Sequence, residues 1–225
     1  MSLTYLVNDT ETIGLNPPAQ PASGVVEVAW ARIDAMTLEI VDEFVSRVNP
    51  GCEIDPRASA VHGIYAADIV NEKSLAELFN PKGATVSIGH NTSFDIKFLS
   101  PYYENLSGSL CTLALARQYI KDSPNHKLGT LVQHLGLTGG KAHSALGDVH
   151  STVQLLKVLV DKAGRDLPTL VAAARRPKQI LVMPFGKFKG QQILTLPLWY
   201  VSWFLEQEID EDLRLSLKTS LKTRV

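Results

Sequence analysis

The sequence predicts an α/β domain with a mixed central β-sheet flanked by helices, followed by a small C-terminal α+β appendage. Three observations support this fold class. Short strand-like segments come early in the chain, helical periodicity dominates later, and the residue pattern changes again near residue 178. With 225 residues, 45% of them hydrophobic, the chain is long enough to bury a sizeable core.

The predicted strands are apolar runs bounded by polar or turn-forming residues. Between the first two lies LNPPAQPASG, in which prolines and a glycine mark a loop. The strands are expected at residues 4–8, 25–33, 40–48 and 85–89.

The predicted helices include one long amphipathic segment at residues 143–162. Its apolar residues recur at steps of three or four, at Ala145, Val149, Val153, Leu156 and Val160. Other helical segments are expected at residues 55–64, 74–80, 90–99, 110–120 and 128–135.

The domain organisation follows from these elements. We expect a main domain at residues 1–165, a linker at residues 166–178 that begins with a short helix, and a C-terminal module at residues 179–225. In the module, ILVMPFGKFKGQQI predicts a strand, a glycine-rich turn and a strand, whereas PLWYVSWFLEQE and DEDLRLSLKTSLK predict helices. A segment of this size is expected to lack a large core of its own.

Charge and cysteine content bear on the cellular location of the protein but say little about its biochemical function. The net charge of −1 excludes no class of partner, because a local basic patch is enough to bind nucleic acid. Cys52 and Cys111 form no CxxC pair, which argues against a disulfide framework or a thiolate zinc site. No signal peptide or membrane-length apolar run is evident, so a cytoplasmic protein without membrane association is expected.

Two carboxylates, Asp9 and Glu11, follow the first apolar run. Residues two apart in an extended segment point to the same side, so these groups repel each other. Burying either one is costly unless it is paired, and a divalent cation removes that cost. Their hard oxygen ligands suit Mg²⁺ or Mn²⁺. The alternative is a solvated turn just after the strand.

Three further polar residues occur at the starts of predicted helices. Asp95 follows the fourth strand, where it could equally stabilise a helix N-terminus. Asp148 lies among apolar neighbours in HSALGDVHST, where an exposed aspartate in the first turn is the alternative. His143 precedes Asp148 by five residues and could be a helix cap. The order and spacing of all five residues carry the argument.

These residues form three motifs that together resemble a known family. They are Asp9-Thr10-Glu11, Asn91-Thr92-Ser93-Phe94-Asp95 and the segment from His143 to Asp148. In order and spacing they resemble the motifs of the DnaQ-like, or DEDD, 3′–5′ exonucleases across residues 1–165. A histidine five residues before the last aspartate is typical of the DEDDh branch. The sister branch has a tyrosine four residues before it, where this sequence has Ser144.

The resemblance implies a ribonuclease H-like fold and hydrolysis of phosphodiester bonds at 3′ ends of single-stranded or duplex DNA, in repair or recombination. It implies two Mg²⁺ or Mn²⁺ ions per site, with His143 as the general base that activates water. A homodimer is compatible with the resemblance. The implied metal ligands are Asp9, Glu11, Asp95 and Asp148. The groups that position the terminal nucleotide are the backbone from Thr10 to Thr12 and the residues Asn91 and Phe94. Phe94 could instead belong to the core.

The C-terminal module resembles the tail of one exodeoxyribonuclease of this family. Its GKFKG turn brings Lys187 and Lys189 close together around Phe188, and its glycines let the backbone approach a phosphate. We expect both lysines to contact DNA and Phe188 to stack on an unpaired base. The alternative is a solvated turn between two packed strands.

Two other functions remain open at this point. The same fold and site could serve an RNA 3′–5′ exonuclease. The chain could also be a non-catalytic accessory subunit that keeps only the fold. The intact set of four carboxylates and His143 argues against the second alternative, because a binding module has no chemical need for all five.

Overall fold

A computed structural model of the chain describes residues 3–79, 86–174, 179–207, 209 and 211–224. The chain divides into two compact units, Met1–Ala174 and Arg175–Val225.

The first unit is built on a five-stranded sheet in the order β3-β2-β1-β4-β5. Strands β1, β2 and β3 pair antiparallel, whereas β4 runs parallel to β1 and β5 parallel to β4. The predicted mixed sheet is therefore confirmed. Its strands are β1 (Thr4–Thr12), β2 (Val25–Asp34), β3 (Ile40–Arg47), β4 (Val86–Gly89) and β5 (Gly108–Cys111).

Eight α-helices of the first unit flank the sheet within the described residues. The long helix α7 is the predicted amphipathic one, with Ser144 as its N-cap and Gly164, at φ 60°, as its C-cap. The helices are α1 (Pro56–His62), α2 (Ala66–Ile69), α3 (Leu75–Leu78), α4 (Thr92–Leu99), α5 (Thr112–Tyr119), α6 (Leu128–His134), α7 (Ala145–Ala163) and α8 (Leu167–Ala174).

Both faces of the sheet carry hydrophobic clusters because successive strand residues point to opposite sides. On β2, Ala29 and Ala31 belong to the cluster that includes Val149 and Leu156 of α7. Val28 of the same strand belongs to the cluster that includes residues of α3 and α4. Burial on both faces explains why β2 is a nearly continuous apolar run.

Two predicted elements of the first unit were wrong in their extent. Residues 110–120 were expected to be helical throughout, but Leu110 and Cys111 belong to β5 and the helix begins at Thr112. Parallel pairing with β4 buries Leu110, and this tertiary contact overrides local helix propensity. Strand β1 extends beyond the predicted residue 8 to Thr12, so Asp9 and Glu11 lie inside it.

The segment at residues 166–178 contains helix α8, and the expected short helix is present. Leu167, Leu170 and Val171 of α8 are buried in the main hydrophobic cluster. Residues 175–178 lie outside the described residues, so the linker and the domain boundaries drawn around it stay a prediction.

The second unit contains helices α9 (Leu198–Leu205) and α10 (Glu211–Thr223) and a 3₁₀ turn at Ile193–Thr195. The two strands predicted around its glycine-rich turn were wrong. Only an isolated antiparallel bridge joins Val182 to Gln192 among the described residues. This unit has its own core, made of Met183, Ile193, Leu196, Tyr200, Val201, Phe204, Leu213 and Leu217.

None of the helices in the described part of the chain has the length and apolar character needed to cross a membrane. The cytoplasmic location expected from the sequence stays a prediction.

Candidate active site

Three of the predicted carboxylates come together where β1 meets the start of α7. Asp9, Glu11 and Asp148 each offer an oxygen atom, and these atoms lie within 4.8 Å of one another. Asp9 and Glu11 share one side of β1, and Asp148 occupies the first turn of α7. The fold therefore brings together residues that are far apart in the sequence.

A close backbone contact fixes the start of α7. A Cβ atom on Gly147 would lie 2.1 Å from the backbone oxygen of Lys141, so only glycine fits next to Asp148. The Ser151 hydroxyl accepts a hydrogen bond from the Gly140 N–H (3.1 Å) and donates one to the Gly147 carbonyl (2.8 Å). The loop before α7 is thereby held against its first turn.

Burial raises the pKa of all three carboxylates, and repulsion between carboxylates adds to this at Asp9 and Glu11. Burial raises the pKa of Asp9 well above its usual range, and repulsion from the neighbouring carboxylates adds to the effect. Burial and the charge of Asp148 raise the pKa of Glu11 to about 7. The pKa of Asp148 is also raised, again by burial. The folded chain thus concentrates negative charge where little solvent compensates for it.

Asp95 lies beside this cluster, and Thr10 holds it in place. The Thr10 backbone N–H donates to Oδ1 of Asp95 (3.0 Å), and the Thr10 hydroxyl donates to the same atom (2.8 Å). Burial raises the pKa of Asp95 to about 7 despite these hydrogen bonds. Asp95 is not one of the three grouped carboxylates, but its charge is the largest source of repulsion on Asp9. Its role as a ligand stays a prediction.

The threonines that were expected to position a nucleotide are engaged within the protein. Both donors of Thr10 point to Asp95. The Thr12 hydroxyl donates to the Gly14 carbonyl (2.8 Å). Both side chains are buried, so the structure gives them a part in shaping the site. Their contact with a nucleotide stays a prediction.

His143 lies at the entrance to α7, next to the N-cap Ser144. It is exposed, and its backbone adopts a left-handed conformation with φ 56°. A non-glycine residue in that conformation is often found at functional sites. Its charge and a backbone hydrogen bond lower the pKa of Asp148, which places His143 beside the carboxylates. Its role as a general base stays a prediction.

Glu27 lies at this site, and the sequence left open whether it is a strand-surface residue or a support for the site. It lies on β2 directly opposite Glu11, and its Oε2 accepts a hydrogen bond from the Ala145 backbone N–H (2.7 Å). This bond satisfies a free donor in the first turn of α7, between His143 and Asp148. A glutamate in an otherwise apolar strand was the signal for a role at the site. A glutamate on the strand surface with no such role explains the same pattern equally well.

Asn91 and Phe94 lie at the start of α4. Asn91 is exposed and precedes the helix with φ 75°. Phe94 is half-buried, and its ring centroid lies 5.4 Å from that of Phe98. Phe94 thus packs against the hydrophobic cluster beside the sheet, which agrees with the alternative that it belongs to the core. Contact of either residue with substrate stays a prediction.

The remaining candidates, Lys187 and Lys189, belong to the second unit, where both are exposed. Phe188 between them was expected to be free to stack on a base. Instead it is half-buried, and its ring meets that of Tyr200 edge-on, with centroids 4.6 Å apart. The base-stacking role expected of Phe188 is therefore withdrawn.

The donor set fits divalent cations. The grouped ligands are carboxylate oxygens, which Mg²⁺ and Mn²⁺ prefer, without the thiolate or paired histidine ligands of a zinc site. The raised pKa values of Asp9, Glu11 and Asp148 show that the ionised cluster is unstable without positive charge. A bound cation would supply that charge.

A comparison with protein families decides which family this fold and site represent. The sequence model described as "Exonuclease" matches residues 6–156, which is more than half of the chain. The chain belongs to this exonuclease family. The matched residues contain Asp9, Glu11, Asp95, His143 and Asp148. A second family, provisionally described as a quorum-sensing-regulated virulence factor, matches residues 178–212.

Relatives of the exonuclease domain include proteins of DNA metabolism. Exodeoxyribonuclease 10 of Escherichia coli is 28% identical over 190 residues, which cover 82% of this chain and 81% of that protein. A DNA polymerase III subunit epsilon-like protein of Rhodobacter capsulatus is 33% identical over 76% of this chain. The chain spans 12% of a PolC-type DNA polymerase III of Thermotoga petrophila and 26% of the Rhodobacter protein.

Solved structures share the exonuclease fold. Exonuclease X in complex with 5′ overhanging duplex DNA superposes with a TM-score of 0.63 at 25% identity, covering 76% of this chain and 99% of that one. E. coli exonuclease I in complex with an oligonucleotide gives a TM-score of 0.59 at 18% identity, covering 77% of this chain and 43% of that one. The second likeness supports the fold alone. Together they confirm the predicted ribonuclease H-like architecture.

Proposed function

We propose that the chain is a divalent-metal-dependent 3′–5′ exodeoxyribonuclease that releases nucleoside 5′-monophosphates. The observation that carries the proposal is the cluster of Asp9, Glu11 and Asp148 inside a fold of the exonuclease family. Exodeoxyribonuclease 10 resembles this chain over most of both sequences, which favours DNA as the substrate. A role in repair or recombination is consistent with that substrate.

The proposed mechanism assigns each residue a task. Asp9, Glu11, Asp95 and Asp148 would hold two Mg²⁺ or Mn²⁺ ions. When bound, such ions activate water and stabilise the charge that develops at the phosphate. His143 would take the proton from the attacking water. Thr10 orients Asp95 through its two hydrogen bonds.

One experiment separates this proposal from its two alternatives. Matched single strands of DNA and RNA are incubated with the protein in Mg²⁺ or in EDTA, and the released mononucleotides are quantified. Release from DNA that depends on Mg²⁺ supports the proposal. Preferential release from RNA would identify an RNA exonuclease. No release from either strand, nor from a DNA duplex with free 3′ ends, with Mg²⁺ or Mn²⁺ would identify a non-catalytic accessory subunit.

The assembly state is a separate prediction. A homodimer is compatible with the exonuclease family, and sedimentation velocity at micromolar concentration tests it. A monomeric mass across the concentration range would contradict it.

A further inference from the structure

The second unit presents an aromatic face that its own core does not use. Trp199 and Trp203 of α9 are 61% and 49% exposed, although the neighbouring Tyr200 and Phe204 are buried. Tyr200 and Trp203 stack with centroids 5.9 Å apart, and Trp199 meets Tyr200 edge-on at 5.6 Å. The two tryptophans are thus anchored on a buried aromatic layer while much of their surface contacts solvent.

The GKFKG turn places a cation against this face. The Nζ atom of Lys187 lies 5.6 Å from the ring centroid of Trp199 and 5.6 Å from that of Phe188. A cation over an aromatic ring is attracted by the negative face of the ring. Lys187 and Trp199 therefore form one surface, which we call the Lys–Trp face. Trp203 follows one turn later on α9, and Lys189 belongs to the same GKFKG turn as Lys187.

The turn is a built structure and not a loose loop. Gly186 adopts φ 78°, and a Cβ atom there would lie 2.6 Å from the Tyr200 hydroxyl oxygen. The Lys189 N–H donates to the Gly186 carbonyl (3.1 Å), and the Gly190 N–H donates to the Met183 carbonyl (2.9 Å). These contacts fix the position of the lysines relative to α9.

The charge around this face favours a polyanion. Residues 179–205, which include the turn and α9, contain two lysines, Lys187 and Lys189, and no aspartate or glutamate before Glu206. A second family matches residues 178–212, which include both the turn and α9, so these two elements recur together as one unit. Positive charge interleaved with exposed aromatic rings is the pattern by which proteins bind single-stranded nucleic acid.

We propose that the Lys–Trp face binds single-stranded DNA, with Trp199 stacking on an unpaired base and Lys187 and Lys189 contacting the adjoining phosphates. This proposal rests on the proposed function, since it identifies single strands as the part of the substrate that the second unit holds. Its observable consequence is an affinity for single strands that is independent of hydrolysis.

The test measures binding of labelled oligo-dT by fluorescence anisotropy in EDTA, where turnover is blocked. Trp199→Ala should weaken binding between about 5-fold and 150-fold, which is the loss expected for one stacked base. Trp199→Phe keeps an aromatic ring and should retain most of the affinity. Leu181→Ala is the matched control, because Leu181 is also exposed but lines a different groove with Ser216 and Ser220.

Several outcomes would overturn the proposal. Trp199→Ala could bind oligo-dT as tightly as the wild type. It could also lose as much affinity for a blunt hairpin duplex as it loses for oligo-dT. It could also abolish self-association in sedimentation while leaving oligo-dT binding unchanged, in which case the face joins two copies of the chain. Should Trp199→Ala fail to fold, Trp199→Phe still tests the proposal, because oligo-dT must quench tryptophan fluorescence less in it than in the wild type.

The binding assay also separates this proposal from the proposed function. If the wild type releases no nucleotide from any strand while Trp199→Ala still loses oligo-dT affinity, the nuclease proposal fails and the binding surface stands. If the wild type releases nucleotides and Trp199→Ala binds oligo-dT as tightly as the wild type, the nuclease proposal stands and the binding surface fails.

Discussion

At the residue scale, a few hydrogen bonds hold repelling carboxylates in place. Thr10 directs both of its donors to Asp95, and Glu27 accepts from the start of α7. Each bond joins residues that are distant in sequence but adjacent in the fold. The geometry of the site therefore depends on side chains outside the three motifs as well as on the motifs themselves.

His143 is expected to contribute to turnover and not to metal binding. His143→Ala should lower kcat by about 10²–10⁴-fold, the usual cost of losing a general base, while Mn²⁺ affinity in a calorimetric titration stays unchanged. Activity should recover partly at high pH, where hydroxide needs no base. His150→Ala is the matched control, since His150 lies on the same helix but contacts Glu43 (2.8 Å). Loss of Mn²⁺ binding in His143→Ala would make the histidine a ligand.

Glu27 is expected to act by positioning the start of α7. Glu27→Ala removes the acceptor for the Ala145 N–H, so kcat should fall while KM changes little. Glu27→Gln keeps an acceptor oxygen and should restore most of the lost kcat. Steady-state kinetics on a DNA strand measure both values. If Glu27→Gln is as impaired as Glu27→Ala, negative charge and not the hydrogen bond is what matters.

At the element scale, the sequence located most strands and helices of the first unit but misplaced the end of β1 and missed β5. Strand β1 was expected to stop at residue 8 because polar residues follow, yet pairing with β2 carries it to Thr12. Strand β5 was hidden because four residues pair with β4 immediately before a helix-favouring segment. Neither pairing partner can be identified from local propensity, so only the fold reveals these extents.

The spacing of the three motifs located the candidate site better than local sequence patterns located the ends of the strands. Order and spacing placed Asp9, Glu11 and Asp148 in one site, and the structure groups their oxygen atoms. The supporting contacts of Thr10 and Glu27 could not be predicted, because they depend on which side chains face each other across the sheet. In the second unit, turn-forming residues around GKFKG suggested a hairpin, but the flanking segments form a single bridge.

The GKFKG turn yields a prediction about electrostatics. The double variant Lys187→Ala, Lys189→Ala should bind DNA more weakly, and its slope of log K against log salt should fall by about 0.7–0.9 for each phosphate that the protein no longer neutralises. Turnover at saturating substrate should change little. Lys218→Ala with Lys222→Ala is the control, since those lysines are exposed on α10. An unchanged salt slope in the Lys187 and Lys189 variant would make the turn a purely structural cap.

At the scale of the whole molecule, the carboxylate cluster links stability to pH and to metal. Glu11 and Asp95 have pKa values of about 7 in the folded chain, above their ordinary values of 4.5 and 3.8. A raised carboxyl pKa means that the folded state holds protons more tightly than the unfolded state does. Stability from these groups is therefore fully present at low pH and lost as pH rises.

We expect the metal-free protein to lose thermal stability between about pH 4 and pH 7, the window set by those values. Each kcal/mol of destabilisation should lower Tm by about 2–4 °C for a chain of this size. Differential scanning calorimetry in EDTA measures the decline, and added Mg²⁺ should raise Tm most at the alkaline end. Asp9→Asn removes repulsion and should flatten the decline and raise Tm. A Tm that rises across this window in EDTA would contradict the electrostatic account.

The most direct test of the central claim follows a 5′-labelled DNA single strand through the reaction with Mg²⁺, for the wild type and Asp9→Asn side by side. The expected result is a ladder of progressively shorter labelled fragments with the wild type, because nucleotides leave from the 3′ end. Asp9→Asn, which keeps the fold but loses a ligand of the cluster, should leave the strand intact. Near-normal shortening by Asp9→Asn, or immediate release of the label as a mononucleotide, would contradict a 3′–5′ exonuclease that works through this carboxylate site.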